Sequence, residues 1–419
     1  MRLELQPFFH ANMYSQSSEY QAAKNEPMSC ERIKRRFLCV LGDAENKNFP
    51  IYMKGPKLYT MCSVLIDLDE QTLSIFRGNP KNKEITHVFS LQELKEQSQE
   101  GKKISHTLIA PKLHKKKEQK SWGMAGKKVE MFEVGPCESA YQMGYLIGKR
   151  FSDTIKSRLD NDLVLRDQLL PFAQAPQSQP LIQALCNNNK TRFPTYWDEL
   201  VGIAEGSSVP VLEIILINFR KEILPFLHKE VALAVDCSDD CSDVLVVSEN
   251  MAIAAHNEDA NVALVGHTYL VKGKLQNGLS FVAYTYAGEL PSCAFGFNNH
   301  GLAFTLNSVP PTNEEVAAGG IGRNFISRDL LESTSLENAI SRVRSAEVSV
   351  GHSYNLIDVQ TRRIVNVETA SSQRGPTLYT LCTAVIDLDE QTLSIIQGNP
   401  KKNVITHVFS IPSVELEKP

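Results

Sequence analysis

The sequence predicts a layered α+β protein, and three observations carry that prediction. Apolar residues recur at helical spacing through 138–171 and again through 197–224. From residue 244 the pattern changes to short apolar runs separated by turns, the signature of antiparallel strands. Residues 328–344 then return to helical spacing before two further strand-like runs at 353–357 and 363–368. Helices, a block of strands, helices and more strands fit segregated layers better than regular βαβ alternation.

The elements follow in order. Met143, Leu146, Ile147, Phe151, Ile155 and Leu159 line one face, so 138–171 is predicted as an amphipathic helix. Trp197 to Ala204 reads as a second helix ending near Gly206, and Ser207-Ser208 with Pro210 starts a third over Val211 to Leu224. Runs at 244–247 and 251–255 flank the turn Ser248-Glu249-Asn250. Runs at 268–272, 280–286, 293–297 and 302–306 continue the strand block, with Asn277-Gly278 marking a hairpin turn.

Composition narrows the classes. At 419 residues the chain has room for two or three domains, or one large domain with extensions. A 42% hydrophobic content excludes wholesale disorder. Net charge of −4 argues against a nucleic-acid protein held by phosphate contacts. There is no apolar run of membrane-spanning length and no signal-peptide core at the N-terminus. Nine cysteines are too sparse for a disulfide scaffold and fit reduced thiols. The expectation is a cytoplasmic globular enzyme without a nucleic-acid or membrane partner.

The chain also repeats itself. Residues 55–91 and 375–411 align without a gap at a constant offset of 320, with about 26 of 37 positions identical. The shared Ile-Asp-Leu-Asp-Glu-Gln-Thr-Leu-Ser-Ile (66–75 and 386–395) reads as strand, polar turn, strand, closed by Gly-Asn-Pro-Lys (78–81 and 398–401). Two copies so far apart do not make a solenoid, which needs stacked neighbours. A duplicated or fused gene segment accounts for them. Residues 101–128 are rich in lysine and read as a solvated linker. Residues 1–100 then form an appendage, and 129–413 the main body. Cys62 and Cys382 hold equivalent repeat positions in apolar runs and read as buried core thiols.

The densest chemistry lies in Asp236-Cys237-Ser238-Asp239-Asp240-Cys241-Ser242-Asp243, just before the first strand of the block. Three readings are open. Cys237, Cys241 and His256 could begin a zinc site, although no second Cys/His pair accompanies them. The stretch could be a polar turn with incidental thiols. Or a cysteine at the lip of a strand is a nucleophile, with Asn257 and Asp259 brought back beside it by the hairpin. His256, Glu258 and Asp259 are all available as its base, and the sequence alone does not choose among them. His10, His256 and His352 each read as surface or hydrogen-bonded core histidines.

Cys241-Ser-Asp-Val-Leu-Val-Val through Ala255-His256-Asn257-Glu258-Asp259 resembles the acyl-coenzyme A:6-aminopenicillanic acid acyltransferase family. Tyr286-Ala-Gly-Glu-Leu-Pro, Gly296 to Asn307, Gly351-His-Ser-Tyr-Asn355-Leu, Phe193 to Gly206 and Asn218-Phe-Arg-Lys-Glu222 carry the same resemblance, which spans about 129–413. It implies the N-terminal nucleophile fold, a four-layer αββα sandwich, and the activities of that family, which include Tan-type hydrolysis of N-β-alanyl amines. It also implies self-cleavage between Asp240 and Cys241, after which Cys241 attacks an amide and forms an acyl-thioester. Under the resemblance 129–240 is a helical prosegment and 241–419 the nucleophile-bearing portion. Cys241 is preferred to Cys237 because Asp259 lies 18 residues beyond it, the family's separation. Asp259 would orient the nucleophile and its amine, Asn355 would supply an oxyanion donor, and Tyr286 and Asn307 would line the pocket. Asp240 stands where the family's fungal penicillin acyltransferase has glycine.

The expected substrate is a small acyl amine, such as a β-alanyl amine, with water or an acceptor amine receiving the acyl group. No cofactor and no metal are expected, and the processed chains are candidates to stay associated. One departure complicates this. The C-terminal copy passes from Val367-Glu368-Thr369 to Gly375-Pro376, lacking a segment that relatives carry near 369–375. Its counterpart stands at the other end, in Pro7 to Tyr14, Ser17-Ser18, Leu41-Gly42-Asp43 and Pro50-Ile51-Tyr52, with Gln21 where the family motif has Arg. Either residues 1–54 fold back into the gap, or the chain is a catalytically inactive paralogue that keeps the fold.

Overall fold

The strands that follow Cys241 do not build their sheet alone. The computed structural model describes residues 8–11, 30–44, 51–55, 58–92, 129–227, 241–248, 251–291, 293–308, 316–369, 382–387, 392–397 and 405–410. Gln21, Cys237, Asp240, the linker 101–128 and the junction 370–381 lie outside them. The chain divides into two compact units, Met1–Ser371 and Ser372–Pro419.

The first unit opens with strand β1 (Phe8–Ala11), helix α1 (Cys30–Leu41) and strands β2 (Leu58–Asp67), β3 (Thr72–Phe76), β4 (Ile85–Ser90) and β5 (Glu130–Cys137). A helical stretch follows: α2 (Ala140–Arg150), α3 (Ser152–Asn161), α4 (Leu170–Gln174), α5 (Gln179–Arg192), α6 (Pro194–Ser207), α7 (Val211–Asn218) and α8 (Arg220–Ile223). Next come β6 (Ser242–Ser248), β7 (Met251–Asn261), β8 (Thr268–Leu275), β9 (Ser280–Tyr286), β10 (Phe295–Asn298) and β11 (Leu302–Ser308). Helices α9 (Arg323–Leu330) and α10 (Leu336–Ser345) precede β12 (His352–Asp358) and β13 (Arg363–Thr369).

These strands form two sheets, ordered β1-β6-β7-β2-β3-β4 and β13-β12-β11-β10-β9-β8-β5. Pairing is antiparallel except between β5 and β8. The long β7 is the hinge of the first sheet: β6 flanks it from the same hairpin, while β2 flanks it from nearly two hundred residues earlier. Residues 58–90, the first copy of the repeat, thus supply three of that sheet's six strands.

Strand alternation sorts the core. Ala252, Ala254 and Ala260 of β7 pack with Val64 and Ile66 of β2 against Leu270, Val282, Phe295 and Ile357 of the second sheet. Met251, Ile253 and Ala255 face the other way, onto Phe37, Leu38 and Leu41 of α1. The second sheet's outer face, through Val271, Phe281, Phe304 and Leu356, packs on helices α2 to α10. Each large aliphatic or aromatic side chain so buried contributes roughly 1.5–3 kcal/mol. Between α2 and α6 the backbones touch: a Cβ on Gly144 would lie 1.9 Å from the Glu199 carbonyl oxygen, and one on Gly202 2.2 Å from that of Tyr141.

The second unit contains β14 (Cys382–Asp387), β15 (Thr392–Gln397) and β16 (Ile405–Ser410), a three-stranded sheet of its own. Its pairing reproduces that of β2–β3–β4. Thr383 opposes Ile396 as Ser63 opposes Phe76, and both meanders shift register at the same point, Ile395/Ile396 and Ile75/Phe76.

The mixed helix-and-sheet class expected from the sequence is what the structure has. Within it, the helix predicted over 138–171 is broken. Phe151 leaves helical geometry (φ −107°, ψ 20°) to stack on Tyr269 with ring centroids 3.7 Å apart, and the chain restarts as α3. Helix 328–344 is likewise two helices, α9 and α10. Among the described residues no helix is long and apolar enough to cross a membrane.

Candidate active site

Cys241 is the residue immediately before β6, 5% exposed, on the face that looks toward the second sheet. That placement follows from alternation: Leu245 of β6 packs between the sheets, whereas Val244 and Val246 pack toward α1. The β6–β7 register sets Ser242 opposite Asn257 and Asp243 opposite His256. Continued by one residue, it sets Cys241 opposite Glu258. The Cys241 thiol donates to Glu258 Oε2 at 3.4 Å, and its Sγ is 4.0 Å from the main-chain oxygen of Asp259.

Around this pair runs a buried polar chain. His256 places Nε2 3.1 Å from Glu258 Oε2 and Nδ1 3.1 Å from Asp243 Oδ1. Burial disfavours charge on its ring, but Asp243 and then Glu258 outweigh this and push its pKa up to about 10. Thr305 of β11 donates to Asp243 Oδ1 at 2.9 Å, Asn355 donates to Thr305 Oγ1 at 2.9 Å, and Asn366 donates to Asn355 Oδ1 at 2.8 Å. From the second sheet, the Tyr286 hydroxyl donates to Glu258 Oε1.

The odd-numbered polar residues of β7 turn the other way. Asn257 accepts from Ser63 Oγ at 2.6 Å and donates to the carbonyls of Leu41 (2.7 Å) and Ile51 (3.3 Å). Asp259 accepts from the Thr60 hydroxyl, which itself accepts from Met53 N–H at 2.7 Å. Residues from 41 to 63 therefore hold this edge of the site.

Tyr286 also lines a narrow cleft, together with Arg158, Lys221, Glu222, Glu289 and Arg323. Arg158 is buried there, donating to the Ala287 carbonyl and to Glu289 Oε1, each at 2.6 Å. Cys241 does not line this cleft; Glu258 and Tyr286 stand between them.

Of the residues expected from the sequence, Cys241, Tyr286 and Asn355 join one hydrogen-bonded network. The Asp259 side chain lies on the opposite face of β7, at Thr60. Asn307 is 1% exposed, and neither atom of its amide finds a hydrogen-bond partner among the described residues. Cys62 is buried between the sheets, where burial first and then Glu258 push its thiol well above the usual range. His352 is buried, with Nδ1 3.2 Å from the Val350 carbonyl. The side chains of His10 and Cys382 lie outside the described residues.

Sequence reasoning gave no role to Asp243, Thr305 or Thr60. Asp243 had a readable signal, two residues from Cys241 and so on the same face of a strand. Thr60 and Thr305 had none, because their partners are set by long-range pairing.

The thiol of Cys241, a ring nitrogen of His256 and a carboxylate oxygen of Glu258 lie within 4.8 Å of one another, close enough to share a metal ion. Ligation would need a bare ring nitrogen on His256. With its pKa near 10 the ring carries protons on both nitrogens at neutral pH, each facing a carboxylate.

A cysteine thiol thus donates to a buried carboxylate at the mouth of a strand between two sheets. Residues 246–377 match the family model described as acyl-coenzyme A:6-aminopenicillanic acid acyl-transferase. The chain is 28% identical over 246 residues to a beta-alanyl-dopamine/carcinine hydrolase of Drosophila melanogaster. It is 26% identical over 247 residues to the 40 kDa form of an acyl-coenzyme A:6-aminopenicillanic-acid-acyltransferase of Emericella nidulans. These matches cover 55% and 57% of this chain, and 63% and 66% of the relatives' own lengths, just under two thirds of each. Through this portion the chain is similar to the acyl-coenzyme A:6-aminopenicillanic acid acyltransferase family.

Proposed function

We propose that the chain is a self-processing cysteine amidohydrolase or acyltransferase acting on a small N-acyl amine, with Cys241 as nucleophile. The observation that carries this reading is the buried Cys241 thiol donating to Glu258, two hydrogen bonds from a cleft walled by Tyr286. A thiol becomes an effective nucleophile when a base lies within hydrogen-bond reach.

In this reading the chain cuts itself between Asp240 and Cys241. The new α-amine, with an ordinary pKa of about 7.7–8.0, then serves as base for turnover. Asp259 orients the new amine, Asn355 offers its amide to the oxyanion, and Asn307 and Tyr286 hold the substrate. The acyl group passes through a thioester to water or an acceptor amine. The name of the Drosophila relative favours β-alanyl amines as first candidates. The two sheets with helices on either side are read as the four-layer αββα fold of N-terminal nucleophile hydrolases. Residues 1–100 are read as a fused copy of the family's C-terminal portion, joined by the linker 101–128, with residues 1–54 standing in for the segment missing near 369–375. The prosegment is 129–240 and the nucleophile-bearing portion 241–419.

Intact mass of the purified chain beside a Cys241→Ala control tests this. A wild-type split at Asp240/Cys241, absent in the control, is expected, with release of free amine from β-alanyl dopamine or carcinine by the split protein. An uncut wild-type chain that hydrolyses neither compound overturns the reading and favours an inactive paralogue.

A further inference from the structure

Self-cleavage poses a problem that turnover does not: the α-amine that serves as base in the mature enzyme does not exist until the bond is cut. Another base must take the first thiol proton. We propose that Glu258 is that base, a catalytic residue of the self-cleavage step; the inference rests on the enzyme reading above.

The geometry singles it out. Glu258 Oε2 is the acceptor of the Cys241 thiol at 3.4 Å, and strand register puts the two side chains on one face. The Asp259 carboxylate is on the opposite face of β7, engaged by Thr60. His256 is already held between Asp243 and Glu258, so its nitrogens point to carboxylates, not to the thiol. Tyr286 anchors the other carboxylate oxygen of Glu258, and Oε2 is shared between His256 Nε2 at 3.1 Å and the thiol at 3.4 Å.

The step balances without a co-reactant other than water. Glu258 takes the thiol proton, and the thiolate adds to the Asp240 carbonyl carbon to form a C–S bond. The proton passes from Glu258 to the Cys241 nitrogen as the C–N bond breaks, giving a thioester and a free amine. Water then adds to the thioester, releasing the Asp240 carboxyl group and restoring the thiol.

The test is a time course of cleavage by intact mass for full-length wild type, Glu258→Gln and Glu258→Ala. Gln keeps the shape and an acceptor for Tyr286 but is no base. Loss of general-base assistance typically costs 10²–10⁴-fold, so a fall of at least about 100-fold is expected for Glu258→Gln. Cleavage of Glu258→Ala should recover in proportion to added formate, which restores a carboxylate but would not repair a misfolded site. Glu258→Gln cutting at the wild-type rate overturns the assignment while leaving the enzyme reading intact. Slow cleavage in both variants without formate rescue also overturns it, reducing Glu258 to a structural part. A wild-type chain that never cuts overturns the enzyme reading and this inference together.

Discussion

Thr60 and Asp259 stand opposite each other across the β2–β7 pair, and the Thr60 hydroxyl donates to the Asp259 carboxylate. A register shift between Thr60 and Cys62 makes this possible. Without that bulge Thr60, two residues from Cys62, would share the inter-sheet face of Cys62, Val64 and Ile66. The bulge turns it toward Asp259, so a residue of the N-terminal part donates to the carboxylate that follows Glu258 on β7.

Replacing Thr60 with Val keeps the shape and deletes the donor. A buried acceptor that loses its partner costs about 1–3 kcal/mol. Thr60→Val should therefore lower the urea midpoint by a corresponding amount, while Thr60→Ser should stay near wild type. Equal midpoints for all three proteins would show that the contact contributes nothing.

The charged His256 makes stability depend on pH in a definite direction. Its pKa rises from 6.5 in the unfolded chain to about 10 in the folded one, through Asp243 and Glu258 acting against burial. The group binds protons more tightly when folded, so its contribution is full below about pH 6.5 and is lost as pH climbs through 10. The neighbours facing it are Asp243 and Glu258, with Cys241 and Tyr286 next along the network. Denaturation midpoints measured from pH 6 to 10 should fall more steeply for wild type than for His256→Asn. Parallel curves would mean the ring is neutral.

The contact between α2 and α6 has no room for a methyl group. An alanine Cβ at 202 would meet the Tyr141 carbonyl oxygen at 2.2 Å, which requires the helices to move apart. Overpacking of this kind typically costs 1–3 kcal/mol, so Gly202→Ala should unfold at lower denaturant. The same change at Gly278, where φ is +88° but nothing lies within 4 Å, tests backbone strain without the clash.

Truncation separates the two copies of the repeat. Both sheets of the first unit are complete without residues 372–419. A chain ending at 371 should retain a cooperative melt and wild-type far-ultraviolet dichroism per residue. A chain lacking residues 1–92 loses β1 to β4, four of the six strands of the sheet that follows Cys241, and should not fold. The reverse result would assign the sheet to the C-terminal copy.

Local periodicity made most elements legible: β9 spans 280–286 as read, and β6, β8, β11, β12 and β13 differ from their predicted runs only at the ends. The strand read as ending at Ala255 continues to Asn261 instead. Its polar second half, His256 to Asp259, is strand because both faces find partners: Asp243, Cys241 and Tyr286 on one side, Ser63 and Thr60 on the other. No window of sequence contains those partners. Cys241 is preferred to Cys237 only through the family resemblance, and its choice between Glu258 and Asp259 could not be read at all. Adjacent strand residues point to opposite faces, and only the register with β6 tells which face is which.

The order of strands has a last consequence if the chain is cut ahead of Cys241. In one sheet β6 lies between β1 and β7, and β7 between β6 and β2; in the other, β5 pairs with β8. Each sheet would then be woven from two polypeptides, with backbone hydrogen bonds crossing the seam on both. Separation would have to tear apart both layers at once. The scission would thus create a new chain end beside the thiol without releasing a fragment, leaving a heterodimer whose subunits were never folded apart.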